Sequence, residues 1–81
     1  MKSRTTDEKY LITLYELAKK TDDLHTEFSR FEIGDKIGLH PRGANTICKL
    51  LLQANFIKKT SEEGIFITEH GAKLVLRLLE D

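Results

Sequence analysis

The stretch from His40 to Ala54, HPRGANTICKLLLQA, constrains this chain more than any other. Pro41 is its only proline, and a helix tolerates proline best in its first turn, where the missing N–H costs nothing and the fixed φ suits the helix. A helix therefore starts at Pro41, with His40 in the N-cap slot. Ala44, Ile47, Cys48 and Leu51 then recur at i, i+3, i+4 and i+7, a stripe that belongs against a core. Arg42, Asn45, Thr46, Lys49 and Gln53 take similar spacing on the other side. The helix should run to about Ala54, because Asn55 is a tolerable left-handed cap.

Working back from this helix, Gly38 suits the left-handed residue that ends a preceding one, and Leu39 should plug the turn between them. Ser29 and Glu32 form a capping-box pattern, which predicts a short helix over Arg30 to Ile37 that buries Phe31, Ile33 and Ile37. Thr5 and Glu8 form another. It predicts a first helix from about Asp7 to Lys20 with Tyr10, Leu11, Leu14, Leu17 and Ala18 on its apolar face. Met1 to Thr6 reads as a polar lead, and Thr21 to His25 as loop. Downstream, Phe56 to Thr60 and Ile65 to Thr68 are β-type runs around Ser61 to Gly64, a hairpin with a four-residue loop. Thr68 should cap a last helix over Glu69 to Glu80, with Ala72, Val75, Leu76 and Leu79 on its core face and Leu74 and Leu78 outside it. The resulting fold class is mainly α with a small β-hairpin, an α+β arrangement. Repeats, low-complexity tracts and Pro/Gly/Ser linkers are absent, so residues 1–81 read as one domain.

A chain of 81 residues removes only about 60 to 65% of its unfolded surface on folding, so its core has to be compact. Its 40% hydrophobic and 32% charged residues fit an ordinary globular domain rather than a disordered chain. Formal net charge is zero, and the distribution of charge is what informs. Between Pro41 and Lys59 the charged residues are Arg42, Lys49, Lys58 and Lys59, with no acid among them. The rest of the chain is correspondingly acidic.

The single Cys48 falls on a core stripe and fits a reducing, cytoplasmic setting. With no apolar run long enough for a membrane span and no apolar segment of the secretory-signal type, the sequence reads as soluble and unexported. Catalysis finds no foothold, since there is no Gly-rich phosphate loop, no nucleophile elbow and no paired His and Cys arrangement. The chain therefore reads as a non-enzyme. His25, His40 and His70 are spread without metal-ligand spacing, and no cofactor is expected.

The segment FEIGDKIGLHPRGANTICKLLLQANFIKKTSEEGIFITEHGAKLV, from Phe31 to Val75, resembles the reader domains of the multiple-antibiotic-resistance repressor (MarR) family and of the diphtheria toxin repressor family. TDEKYLITLYEL is similar to the first helix of the latter. The resemblance implies a winged helix-turn-helix: a three-helix core, a hairpin wing and a C-terminal helix. It also implies double-stranded DNA as partner and a role in transcription regulation. Arg42, Gly43, Asn45, Thr46 and Lys49 would be the groove-facing positions. The diphtheria toxin repressor family uses a divalent metal, but Lys9 stands where the resemblance would place a methionine ligand.

Side-chain chemistry bears on that expectation independently. Arginine pairs bidentately with guanine and asparagine with adenine in the major groove, Gly43 would allow close backbone approach, and Thr46 and Lys49 suit phosphate or secondary base contacts. The alternative is that this side of the helix is simply a solvated face. Glu62 and Glu63 at the hairpin tip would repel phosphate, which leaves Lys58 and Lys59 at its base as the backbone contacts. Leu50 and Leu52 flank the core stripe and signify either a wider core or a surface for a protein partner. Ile12 and Tyr15 on the first helix, with Leu74 and Leu78 on the last, form a second apolar seam suited to a homodimer. The runner-up function is accordingly a protein-interaction module or adaptor subunit.

Overall fold

A computed structural model describes residues 4–80. Helix α1, Thr6–Lys20, starts where the capping box places it: the Thr5 hydroxyl accepts from the Glu8 N–H and the Glu8 carboxylate accepts from the Thr5 N–H. Of the polar lead expected over residues 1–6, the first three lie outside the described residues. One side of α1 carries Tyr10, Leu11, Leu14 and Ala18, all fully buried. Leu17, expected with them, packs half-buried at the core's edge.

Helix α2, Arg30–Lys36, and helix α3, Pro41–Gln53, follow, joined by a turn around Gly38, whose φ is +79°. The turn leaves few backbone groups unpaired, since Ile37 and Leu39 N–H groups both donate to the Gly34 carbonyl. Ser29 caps α2 by accepting from the Phe31 N–H, and its hydroxyl donates to the Glu63 carboxylate. The reciprocal bond of a Ser29–Glu32 box is replaced by this link to the distant hairpin. Phe31 and Ile37 are half-buried, whereas Ile33 is fully buried. A Cβ on Gly34 would stand only 2.9 Å from that of Ala44, so the absence of a side chain sets how closely α2 and α3 cross.

The end of α3 follows the sequence expectation closely. Asn55 takes φ +62°, its N–H donates to the Leu52 carbonyl, and the Phe56 N–H reaches back to Leu51 at 3.0 Å. That pair of bonds satisfies carbonyls the helix would otherwise leave open.

Strands β2, Ile57–Lys59, and β3, Gly64–Ile67, make the hairpin, but the sheet has a third member. Strand β1, Phe28–Ser29, pairs antiparallel with β3 on its free side, in register Phe28 to Ile65 and Ser29 to Gly64. The two-stranded hairpin of the sequence reading is thus corrected to a three-stranded antiparallel sheet in the order β1-β3-β2. A two-residue strand offers too short a run for alternation to register, and it exists only because β3 presents an open edge. Ile57, Ile65 and Ile67 point into the core.

Helix α4, Glu69–Glu80, begins after Thr68, whose hydroxyl accepts from the Gly71 N–H and donates to the Asn55 carbonyl. Its core face differs from the sequence expectation. Gly71, Ala72 and Val75 are buried, but Leu76 and Leu79 are 48% and 47% exposed, while Leu74 packs against the core and Leu78 is half-buried. The leucines at 74, 76, 78 and 79 give this helix apolar residues around most of its circumference, so periodicity alone does not select a side. The choice comes from Gly71, where a Cβ would collide with the Phe56 carbonyl and the Ile67 side chain. That close approach turns Ala72 and Val75 inward and leaves Leu76 and Leu79 to solvent.

The mainly helical α+β fold therefore has one core, centred on α1 and closed by α2, α3, α4 and the inner face of the sheet. No helix among the described residues is long and apolar enough to cross a membrane. The orientation of α4 is directly testable by urea denaturation. Leu14→Ala should cost about 2–5 kcal/mol and Leu76→Ala less than about 1 kcal/mol; comparable losses would mean that Leu76 belongs to the core.

Candidate functional site

Tyr10 lies at the base of the polar region of α3. Its ring is fully buried, its hydroxyl donates to the Arg30 carbonyl at 2.6 Å, and it accepts from Cys48 Sγ at 3.1 Å. Burial pushes the Tyr10 phenol well above the usual tyrosine range, and the Cys48 hydrogen bond and charge add to the effect against the opposing influence of Arg30. Burial likewise pushes the Cys48 thiol up, outweighing the Tyr10 hydrogen bond and the Arg30 charge, which pull it down. Cys48 is thus a protonated core residue, with little of the thiolate character that reactive cysteines need.

Arg30 radiates from this junction to the surface. Its N–H donates to the Glu63 carbonyl at 2.9 Å, and its side chain donates through Nη1 to the Glu62 carbonyl and through Nε to Asn45 Oδ1 at 2.7 Å. The guanidinium lies over the Phe31 ring, 4.6 Å from its centroid. One residue therefore joins α1, the first turn of α2, the middle of α3 and the hairpin tip. Sequence reasoning did not single it out. The available signal was its position: a cation at the first residue of a helix opposes the helix dipole, and such a placement calls for compensating contacts.

Arg42, Asn45, Thr46 and Lys49 are all exposed on one side of α3, as the spacing predicted. They border different features. Asn45 and Lys49 line a cleft of about 170 Å³ between α3 and the hairpin, together with Arg30 and Lys59. Arg42, Gly43 and Thr46 border a separate hollow by the α2–α3 turn. The Thr46 hydroxyl donates to the Arg42 carbonyl one turn back. Gly43 is half-buried, and a Cβ there would sit 3.3 Å from Leu39 Cδ2, so its small size serves packing of the turn.

Lys58 and Lys59 part company. Successive strand residues face opposite sides: Lys59 pairs with inward-facing Ile65 and borders the cleft, whereas Lys58 pairs with Phe66 on the outer face. The basic residues thus do not form one patch. Arg30, Lys49 and Lys59 gather at the cleft, Arg42 stands at the start of α3, and Lys58 lies on the far side of the sheet.

Of the seam residues, Ile12, Tyr15 and Leu74 pack half-buried against the core, and the Leu78 carbonyl accepts from Arg4 Nη2 at 2.8 Å. Leu79 borders shallow hollows on α1 with both Ile12 and Tyr15. Leu52 packs against the core, and Leu50 is 50% exposed. Among the described residues no group of three or more His, Cys, Asp or Glu side chains is arranged to hold a metal ion.

The buried phenol and thiol give stability a defined pH dependence. Their folded pKa values lie above the ordinary values of about 10 and 8.5, so the unfolded chain releases protons that the folded chain keeps. This contribution is fully present below about pH 8.5 and is lost progressively as pH rises through and beyond about pH 10. Tyr10→Phe should lower stability at neutral pH by about 1–2 kcal/mol, and its alkaline decline should be shallower than that of the unaltered chain. Parallel declines in urea titrations at each pH would remove Tyr10 as the source. No protein-family model matches this sequence, and no curated protein matches it, so the functional reading rests on the side chains and their geometry.

Proposed function

We propose that this chain is a winged helix-turn-helix module that binds double-stranded DNA, with α3 as the helix entering the major groove and the β2–β3 hairpin as the wing. Transcription regulation is the role that such binding serves. The observation that carries this reading is the exposed, acid-free face of α3. Arg42, Asn45, Thr46 and Lys49 stand there at i, i+3, i+4 and i+7, with Lys59 and Arg30 sharing the cleft that Asn45 and Lys49 border. A helix about 10–12 Å across fits a major groove about 12 Å wide. The Gly34–Ala44 contact and the left-handed Gly38 support the reading further, because they hold α2 closely across α3 and leave the outer face of α3 clear.

Because the molecule as a whole has no formal net charge, attraction to DNA has to be local and strongly screened by salt. Removing Arg42 and Lys49 together should abolish retention of duplex DNA at physiological ionic strength while the thermal midpoint stays unchanged. At lower salt the slope of log affinity against log salt should fall by about 0.9 for each phosphate that the variant no longer neutralises. Unchanged retention and slope in the double variant would show that this face of α3 does not hold DNA.

A protein-binding role has its own supporting observation in the exposure of Leu50, Leu76 and Leu79, each near one half. The pair on α4 favours self-association, since Leu79 adjoins Ile12 and Tyr15 on α1. A homodimer would present two copies of α3 and compensate for the weak binding expected of a single small module. Sedimentation of Leu76→Glu, Leu79→Glu should then show a monomer where the unaltered chain sediments as a dimer. Equal masses would remove α4 from any self-association.

A further inference from the structure

We propose that the cleft between α3 and the β2–β3 hairpin is a clasp for one phosphate oxyanion, formed by Arg30, Asn45, Lys49 and Lys59. The argument is one of hydrogen-bond polarity. Arginine has donors only, so the atom of Asn45 that meets Arg30 Nε at 2.7 Å has to be the carbonyl oxygen. The Asn45 amide nitrogen, with its two N–H groups, is thereby the atom left for a ligand. On Arg30, Nε is committed to Asn45 and Nη1 to the Glu62 carbonyl, and Nη2 donates to no protein atom among the described residues. The cation–π contact with Phe31, 4.6 Å from Cζ to the ring centroid, further limits where the guanidinium can move.

Lys49 and Lys59 border the same cleft and add donors and positive charge. Every polar side chain that borders it therefore offers donors: Arg30 Nη2, Asn45 Nδ2 and the two ammonium groups. The cleft has no acidic side chain in its wall, and its floor is apolar, made by Cys48, Leu52 and Ile65. Such a floor favours charge-assisted hydrogen bonds over those in open water. At the acidic hairpin tip Arg30 donates to the backbone oxygens of Glu62 and Glu63, and the Glu63 carboxylate accepts from Ser29, so none of these bonds takes the Asn45 amide nitrogen or Arg30 Nη2 from a ligand.

A ligand for this surface has to bring several acceptors and negative charge, which is the chemistry of a phosphate group. If the DNA reading holds, the source is a backbone phosphate beside α3. Asn45 then anchors the helix instead of reading adenine, because its carbonyl is turned toward Arg30. A free phosphate group would satisfy the same donors, and the test separates the two.

Inorganic phosphate should be titrated against chloride at matched ionic strength, with the Arg30 Nε–H and Asn45 side-chain amide signals followed by NMR. Saturable shifts at both are expected. Asn45→Asp keeps the oxygen that Arg30 needs but replaces the outward donor by a charged acceptor, so it should weaken phosphate at least about tenfold with the fold retained. Lys59→Gln, at an exposed strand position, should weaken phosphate as well. Short duplex DNA added at low salt should displace the phosphate, and Asn45→Asp should lose the duplex in parallel. Phosphate saturation without duplex binding would support the clasp while overturning the DNA reading. Absence of saturable shifts, or phosphate binding left unchanged by both Asn45→Asp and Lys59→Gln, would overturn the clasp even if the duplex binds.

Discussion

The buried Tyr10 hydroxyl is the interaction on which the other parts depend. A phenol taken out of water without partners would cost about 1–3 kcal/mol, so the core is organised to supply them. The Arg30 carbonyl accepts its proton and the Cys48 thiol donates to its oxygen. Those two partners belong to α2 and α3, while the ring fills the centre of the core from α1. Rotation or sliding of α1 would break both bonds at once, so the hydroxyl fixes the three helices against one another more sharply than apolar packing does.

Arg30 carries that order outward. Its carbonyl belongs to the core junction, its N–H to the sheet side of the hairpin, and its guanidinium to Asn45 and the hairpin tip. A hairpin with a four-residue loop on an 81-residue chain would otherwise be held chiefly by its short strand pairing. The added bonds from Arg30 and Ser29, together with β1, hold its tip toward α2. In the proposed DNA-binding reading, the position of the wing relative to the reading helix is therefore set by β1, by the Ser29–Glu63 link and by Arg30 together, and only the Arg30 side chain ties the hairpin tip to α3 itself. The Arg30 side chain also turns Asn45 so that its amide nitrogen is available.

Electrostatics explain how a chain with no formal net charge accommodates the proposed site for an anion. The acid-free run from Pro41 to Lys59 concentrates cations on one part of the fold, and folding then divides them. Strand alternation sends Lys58 to the outer face and Lys59 to the cleft, where it joins Lys49 and Arg30. Local gathering of this kind acts over a few ångströms and is screened beyond about 10 Å at moderate salt, so among the acidic residues it is Glu62 and Glu63, at the hairpin tip beside Arg30, that weigh against it.

Much of the architecture was legible in the sequence because it is decided locally. The Thr5–Glu8 capping box, left-handed Gly38 and Asn55, and Pro41 in the first turn of α3 each answer to the backbone of their own few residues. The polar face of α3 was legible for the same reason, since helical periodicity needs no partner to define it. Three features needed the tertiary structure. Strand β1 forms only against an edge supplied much later in the chain, where Phe28 meets Ile65 and Ser29 meets Gly64. The side of α4 that faces inward was set by the contact of Gly71 with the Phe56 backbone, and it exchanged Leu76 and Leu79 for Leu74 at the core. Arg30 became central because Tyr10, Asn45 and Glu62, far apart in the chain, converge on it. Sequence by itself determined, to within about a residue, where the helices begin and end and which residues α3 presents to solvent, because backbone sterics and helical period are properties of neighbouring residues. Only the tertiary structure decided which cations share a cleft and which atom of Asn45 faces outward, because hydrogen-bond polarity is settled by partners that the linear order does not bring together.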